Sequence, residues 1–589
     1  MQKTENNLGW RGLIKGYVFL LGKRKKLYLF YDFCLLLLLF YSVIPPLLLG
    51  KIIDFFDTYK SNGPMSPFYA YVITLGVSFA IVSFLRLTLK NRLENLRSEI
   101  GYDLKLSGFE RLMDFSLEWH DQQMVGEKTQ KISNGVTAIN DLSTLMENVI
   151  LQAIATFLGI VAVFIFLKPY FLIFFLLYFA VYLTNVIYFN VRIQKKIHEQ
   201  NISLEKSSGA FVEGLSNLLT LKTLGASSGY ASHIAVKEEQ LKRNNIEISN
   251  LVINLWRVFQ FLNGLSYAVF LFLIGKSIVS GDISAGMLVI FYGSLQSLIS
   301  VSGGMMDIYE RVSRDRSQII RMLPIYQTTN KVKSGHFKFP VNWKKLSITH
   351  GEFKYHSTKG EKTDRELSDI DLEIQKFSKI GLVGQSGSGK STLAKLLMGM
   401  YSFKSGQYTI GKEDFYSLRE DEVKNEMTLI LQDSEMFNLS LLENITLFRE
   451  LDPRRLQLAI EISQLEPVIN KLPEKLETLI GEKGYHLSGG ERQRVGIARA
   501  IYKNPQIMIF DESASSLDSR TESAILRGLE TKLENKTIVF IAHKVAALKG
   551  VDRILVMDKG RIVEEGTFDS LSQNTDSHFF KIYSTQLKR

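Results

Sequence analysis

The sequence predicts an all-α membrane domain of six transmembrane helices with long cytoplasmic extensions, followed by an α/β domain built on a phosphate-binding loop. Three observations carry this. The first half holds six mostly apolar stretches of the length that crosses a bilayer, about 20 residues. In the second half, short apolar runs alternate with helical stretches, the pattern of a layered α/β domain. There, Gly384-Gln385-Ser386-Gly387-Ser388-Gly389-Lys390-Ser391-Thr392 stands between the apolar run Ile380–Val383 and the helix-forming run Leu393–Met400. That is strand, glycine-rich turn and helix, with the spacing G-x-x-x-x-G-K-[ST].

The 589 residues leave room for two or more domains, and the net charge is +11. The pI of about 9.2 alone would admit a nucleic-acid partner, but the mean hydropathy of +0.04 beside 22% charged residues places concentrated apolar segments somewhere in the chain. They fall at roughly 27–49, 68–90, 146–168, 170–191, 252–275 and 284–306. The first is too long for a signal peptide and no small-residue cleavage site follows it, so it reads as a retained helix. Pro45-Pro46 should kink it, and Lys168-Pro169-Tyr170 should turn the chain between the third and fourth spans. The only cysteine, Cys34, allows no intrachain disulfide and no cysteine-based metal site.

Loop charge sets the orientation. The connections at 92–142 and 192–248 are rich in Lys and Arg, as is Lys23-Arg24-Lys25-Lys26, whereas the other three offer few basic residues, among them Lys60, Lys168 and Lys276. Both termini are therefore expected in the cytoplasm, and the basic excess is explained without nucleic acid. Apolar residues at three- and four-residue spacing through 93–139 and 193–251 predict helices that continue beyond the membrane. Each pair is expected to turn at a short cross-piece, near Trp119-His120-Asp121 and near Gly209 to Gly214. The expected segments are 1–26 (cytoplasmic), 27–325 (membrane domain), 326–343 (linker) and 344–589 (nucleotide-binding domain). Asn254, Arg257, Gln260 and Asn263 are read as one polar side of the fifth span. Ser294, Gln296, Ser297, Ser300 and Asp307 form a polar run in the sixth, and Tyr170, Tyr178, Tyr182 and Tyr188 mark the fourth. These residues line a water-accessible cavity or bond helix to helix.

In the phosphate loop, glycines let backbone N–H groups wrap an anion, and the new helix presents its positive end to it. Lys390 can reach the outer phosphates and the Ser391 hydroxyl can hold Mg²⁺. Ile507-Met508-Ile509-Phe510-Asp511-Glu512 is a buried strand ending in two acids. The first can hold the Mg²⁺ shell and the second can orient or deprotonate a water. Leu487-Ser488-Gly489-Gly490-Glu491 opens a second helix with a hydroxyl and bare N–H groups. One nucleotide rarely needs two cradles on one chain, so the second is read as serving a partner subunit.

With Gln432 after a strand, Ser515-Ser516-Leu517-Asp518, and His543 after Ile538-Val539-Phe540-Ile541, these motifs stand in the order of one family. Over nearly its whole length the chain resembles an ABC transporter of the exporter type, a half-transporter with a membrane domain fused to one ATPase domain. The resemblance implies ATP and Mg²⁺ as cofactors. Gly384 to Thr392 would cradle the phosphates, with Ser391, Gln432 and Asp511 as the Mg²⁺ set, the last through water. Tyr355 would stack on adenine, Glu512 would be the general base, and His543 would contact the γ-phosphate. Gln432 would also link the site to the membrane domain. Ser488, Gly489, Gly490 and Glu491 would cap the ATP of the opposite subunit, and Thr478 to Gly484 would touch the cross-pieces. Glu491 departs from a common glutamine, Lys483 from a common arginine and Ser516 from a common alanine; none removes a catalytic group.

The expected partners are a second copy of the chain, with a heterodimer as the alternative, membrane lipids, and a hydrophobic or amphipathic cargo: a peptide, a lipid or a drug-like molecule. No nucleic-acid partner is expected. Only about 26 residues precede the first span, so no leader-cleaving peptidase is expected. The expected location is the bacterial plasma membrane. A nucleotide-gated channel or a regulatory membrane receptor using the same ATPase domain is the rival reading.

Overall fold

The computed structural model describes residues 10–60, 63–121, 125–167, 169–306, 308–327, 335–355, 366–431, 434–481, 485–511, 517–542 and 544–587. Two units are distinguished by their internal contacts. One comprises Met1–Met113 with Val125–Thr328, and the other comprises Asp114–Met124 with Thr329–Arg589.

The first unit is helical. Among the described residues, six helical segments are long and apolar enough to cross a membrane. The chain begins with α1 (Trp10–Leu20), α2 (Lys25–Leu39) and α3 (Ile44–Thr58). A 3₁₀ turn at Phe40–Val43 separates α2 from α3. The break thus lies just before Pro45-Pro46, which occupy the first turn of α3. Proline lacks an N–H and its ring crowds the carbonyl four residues earlier, so the helix yields upstream and restarts at the prolines.

The next helices are α4 (Ser66–Met113), α5 (Leu117–Asp121), α6 (Val125–Leu145), α7 (Leu151–Leu167) and α8 (Pro169–Ser216). They are followed by α9 (Leu218–Thr223), α10 (Ser227–Val279), α11 (Ala285–Met305) and α12 (Ile308–Gln327). Large apolar side chains such as Ile73, Phe84, Phe166, Phe261 and Phe272 point outward, as in a surface that meets acyl chains. Inside, Phe164 stacks on Phe291 at 4.7 Å, and Phe175 and Phe270 join the same cluster. Beyond the spans, α8 and α10 are bonded by Lys196–Glu247 (2.7 Å), Gln200–Asn245 (2.6 Å) and Asn244–Ser203 (2.8 Å).

Two expectations are corrected here. The second cross-piece is α9, not Gly209 to Gly214, which lie inside α8. A Cβ on Gly214 would come within 2.6 Å of the Tyr230 ring, and the Tyr230 hydroxyl donates to the Ala210 carbonyl at 2.9 Å. The glycine there admits a neighbouring ring rather than breaking the helix. Second, Asn254, Arg257, Gln260 and Asn263 do not share one side. A three-residue step falls short of a full turn by about 60°, so three such steps reach the opposite face. Asn263 is accordingly buried and accepts from the Tyr178 hydroxyl at 2.7 Å, while Arg257 is exposed and donates to Asn254 at 2.9 Å.

The second unit is α/β. A six-stranded sheet runs in the order 561–566, 553–558, 379–384, 537–541, 507–511, 427–430. All neighbours are parallel except the antiparallel outer pair 553–558 and 561–566. Residues of its central strands alternate between two cores: Ile538 and Phe540 face one, Val539 and Ile541 the other. A four-stranded sheet (366–375, 345–354, 405–410, 413–414) completes the second core and is antiparallel throughout. The cross-piece α5 belongs to this unit: Leu117 packs on that core, and the Tyr401 hydroxyl donates to the Asp121 carboxylate.

Candidate functional site: the phosphate loop and its neighbours

Strand 379–384 is buried on both faces, so its carboxyl end is a fixed platform. The chain leaves it through Gly384 to Gly389 and enters the helix Lys390–Leu397. Gly389 has φ +104°, and a Cβ there would lie 2.4 Å from Leu367 Cδ2. Only glycine takes this bend without strain. Gln385, Ser386 and Gly387 form the exposed tip, and Ser388 and Lys390 are buried behind it. Lys390 Nζ donates to the carbonyls of Gly384 (2.9 Å) and Gln385 (3.0 Å), which holds the ammonium across the loop. Ser388 Oγ is buried and has no hydrogen-bond partner among the described residues.

The neighbouring strands bring the metal candidates in. Asp511 ends strand 507–511, and the Ser391 hydroxyl donates to its Oδ1 at 3.0 Å. A hydroxyl and a carboxylate side by side at the edge of a phosphate cradle form an all-oxygen donor pair of the kind Mg²⁺ prefers. The loop, with its forced φ, its lysine and an orphaned hydroxyl, suits a polyphosphate. Thr392 Oγ1 lies 3.4 Å from the Tyr355 hydroxyl, and the Tyr355 ring is edge-on to Phe353 (4.8 Å) and Tyr401 (5.4 Å). Tyr355 therefore joins the loop to Tyr401, the residue that bonds α5.

Ser488, Gly489, Gly490 and Glu491 form a separate group at the start of the helix Gly489–Lys503. Ser488 and Glu491 make a capping box: Ser488 N–H donates to Glu491 Oε2 at 2.8 Å, and Glu491 N–H donates to Ser488 Oγ at 3.4 Å. Partial burial works against ionisation of Glu491, but the bonds from Ser488 outweigh it and hold the carboxyl below its ordinary value. Ser488 and Gly489 are exposed and Gly490 is half-buried, so this helix start faces outward. Gln432, Glu512 and His543 lie outside the described residues. So do Glu482, Lys483 and Gly484 of the segment Thr478 to Gly484, in which Thr478 is buried. Strands 427–430, 507–511 and 537–541 of the sheet that carries the loop end within two residues in sequence of Gln432, Glu512 and His543.

One residue escaped the motif reading. Arg499, on the helix Gly489–Lys503, donates from Nε to Asn444 O, from Nη1 to Glu435 O and from Nη2 to Asn444 Oδ1, each at 2.6 Å. It ties Glu435 and Asn444 to the helix Gly489–Lys503. The signal was an arginine within the otherwise small and apolar run Val495–Ile501.

The comparisons with known proteins agree with this architecture. The family described as ABC transporter matches residues 367–515, and its transmembrane region matches residues 28–301. The chain belongs to the ABC transporter family. Its second unit carries that family's ATPase domain, on the same chain as its membrane region. The chain is 26% identical over 559 residues to the toxin RTX-III translocation ATP-binding protein of Actinobacillus pleuropneumoniae, covering 93% of this chain and 76% of that protein. It is 33% identical over 313 residues to the leukotoxin translocation ATP-binding protein of Mannheimia glucosida. That match covers 53% of this chain but only 43% of that relative's length. In fold it is similar to a bacterial Atm1-family ABC exporter with ATP bound, with a TM-score of 0.81 at 24% identity over 95% of this chain and 99% of that one.

Proposed function

We propose that this ABC transporter is an ATP-driven exporter of a hydrophobic or amphipathic substrate, working as a dimer in a bacterial plasma membrane. The observation that carries the reading is a phosphate loop with Ser391 bonded to Asp511, on one chain with six membrane-crossing helices. Lys390 and the loop N–H groups bind and orient the phosphates. Mg²⁺, held by Ser391 and Asp511 with Gln432, would supply charge neutralisation at the phosphate oxygens. Glu512 takes the proton of the attacking water, and His543 orients the γ-phosphate. The outward-facing Ser488, Gly489, Gly490 and Glu491 complete the site of a second copy, so that two nucleotides close two chains on each other. ATP drives the change because it binds the closed pair more tightly than the open one.

The aromatic character of the membrane unit and the exposed Arg257–Asn254 pair support that cargo class. The two relatives named above translocate toxins by their names, which favours a peptide among the candidates. The test is Glu512→Gln in reconstituted vesicles. ATP should still bind, while ATP hydrolysis and sustained flux are abolished. Flux persisting at the wild-type rate would refute the pump and favour a nucleotide-gated pore.

A further inference from the structure

The membrane unit buries a carboxyl, that of Asp32, whose Oδ1 has no hydrogen-bond partner among the described residues. Helices α2, α4, α6 and α7 pack together around the joint between α6 and α7. That joint is a π-helical turn, Met146–Ile150. Such a turn inserts an extra residue and re-aims a side chain, here Glu147. Glu147 is 3% exposed and accepts from the Tyr28 hydroxyl of α2 at 2.8 Å and from the Arg97 guanidinium of α4 at 3.3 Å. Arg97, itself buried, also donates to Thr144 at 2.8 Å and pairs with Glu94 at the surface. The charge of Glu147 is therefore answered by Arg97.

Asp32 lies one helical turn beyond Tyr28 on the same face of α2. It is 8% exposed, and its Oδ1 has no hydrogen-bond partner among the described residues. Glu147 and Arg97 are the charged groups facing it. The other titratable groups around the joint are bonded elsewhere. Lys90 of α4 donates to Asn148, and Tyr17 of α1 bonds Ser143 at 2.7 Å. An ionised carboxylate at Asp32 would be buried, short of a donor, and beside a second carboxylate. A buried carboxyl in that position takes up a proton rather than bear the cost.

We propose that Asp32 is a proton-binding residue of the membrane unit, carried as the neutral acid in this arrangement while Glu147 stays ionised against Arg97. The ligand is the hydrogen ion itself. Protonation removes the repulsion between the two carboxyls, and separation of α2 from α4 and the π turn would hydrate Asp32 and release the proton to water. The packed arrangement then binds one proton more than the separated one, so falling pH favours packing and rising pH favours separation. This holds whatever the cargo, and it does not depend on the pump reading.

The test is infrared spectroscopy of the full-length protein in lipid bilayers at neutral pH. A protonated-carboxyl C=O band, shifted in D₂O, should be present in the wild type and lost in Asp32→Asn. A band that survives Asp32→Asn, or its absence from the wild type, overturns the proposal. Unfolding supplies an independent readout. Asparagine has the shape of the neutral acid, so Asp32→Asn should keep the wild-type midpoint at neutral pH, whereas Glu147→Gln should lower it. Equal losses in both variants overturn the assignment. So does a wild-type midpoint that rises with sodium or potassium concentration and not with protons, which would make a metal cation the neutraliser.

Discussion

Replacing Arg499 by methionine tests how the ATPase domain is held together. The substitution keeps most of the side-chain length and removes every donor. Three bonds of 2.6 Å are lost, and Asn444 O, Asn444 Oδ1 and Glu435 O lose a donor in a half-buried setting. Burial lowers the Arg499 pKa to about 10, which still leaves it charged at neutral pH. Each charge-assisted bond contributes about 1.5–3 kcal/mol, but neighbours relax, so the expected loss is roughly 3–5 kcal/mol rather than the full sum. For a unit of this size that is a midpoint shift of roughly 6–12 °C. The assay is thermal unfolding of the purified transporter in lipid, followed by a probe in the nucleotide-binding unit. Lysine cannot reproduce the planar fork, so Arg499→Lys should lose most of the same stability. If Arg499→Lys melts with the wild type, the multidentate argument is wrong and the residue acts through charge alone.

Other outcomes are expected at the loop and the sheet edge. Gly389→Ala puts a Cβ 2.4 Å from Leu367 at φ +104°. The backbone cost alone, about 1–2 kcal/mol, should weaken nucleotide binding roughly tenfold in a fluorescent-nucleotide titration; unchanged affinity would mean the loop bend is not needed. Asp511→Asn keeps the shape but weakens the oxygen pair with Ser391, so the Mg²⁺ concentration for half-maximal ATPase should rise while Mg²⁺-free nucleotide binding holds. An unchanged Mg²⁺ requirement would separate Asp511 from the metal. Burial lowers Lys503 from its ordinary 10.5 to about 8, with its ammonium donating to Met427 O at 2.6 Å. Between those two values the unfolded chain binds the extra proton, so this residue makes stability rise with pH from about 8 to 10.5. Lys503→Met should flatten that rise in unfolding midpoint against pH, and an unchanged slope would refute the assignment.

The phosphate loop was legible because its chemistry is local: nine consecutive residues fix the bend, the cradle and the lysine. The spans were legible because a bilayer imposes length and apolarity on each helix separately. What failed depended on contacts between helices. Gly214 read as a breaker because a sequence does not reveal that Tyr230 needs its space. The polar series from Asn254 to Asn263 read as one side because its spacing was judged locally, while the drift of the helix carries Asn263 round to Tyr178. Arg499 has no motif of its own, since its three acceptors lie more than fifty residues upstream. Asp32, an acid inside an apolar run, was visible in the sequence, but its lack of a hydrogen-bond partner among the described residues appears only when α4 and the π turn are set beside it.

The pairing of α8 with α10 carries a mechanical consequence. Their 48 and 53 residues correspond to rods of roughly 70–80 Å, of which a bilayer core takes about 30 Å. The remainder is a cantilever of roughly 40 Å, on which a tilt of only about 5° at the membrane moves the tip by about 3.5 Å, the width of a hydrogen-bond contact. The rungs at Lys196–Glu247, Gln200–Asn245 and Asn244–Ser203 brace the two rods against sliding, so bending is the soft direction that is left. Cutting those rungs would leave each helix intact and soften the pair against sliding, a change in stiffness with no change in helix content.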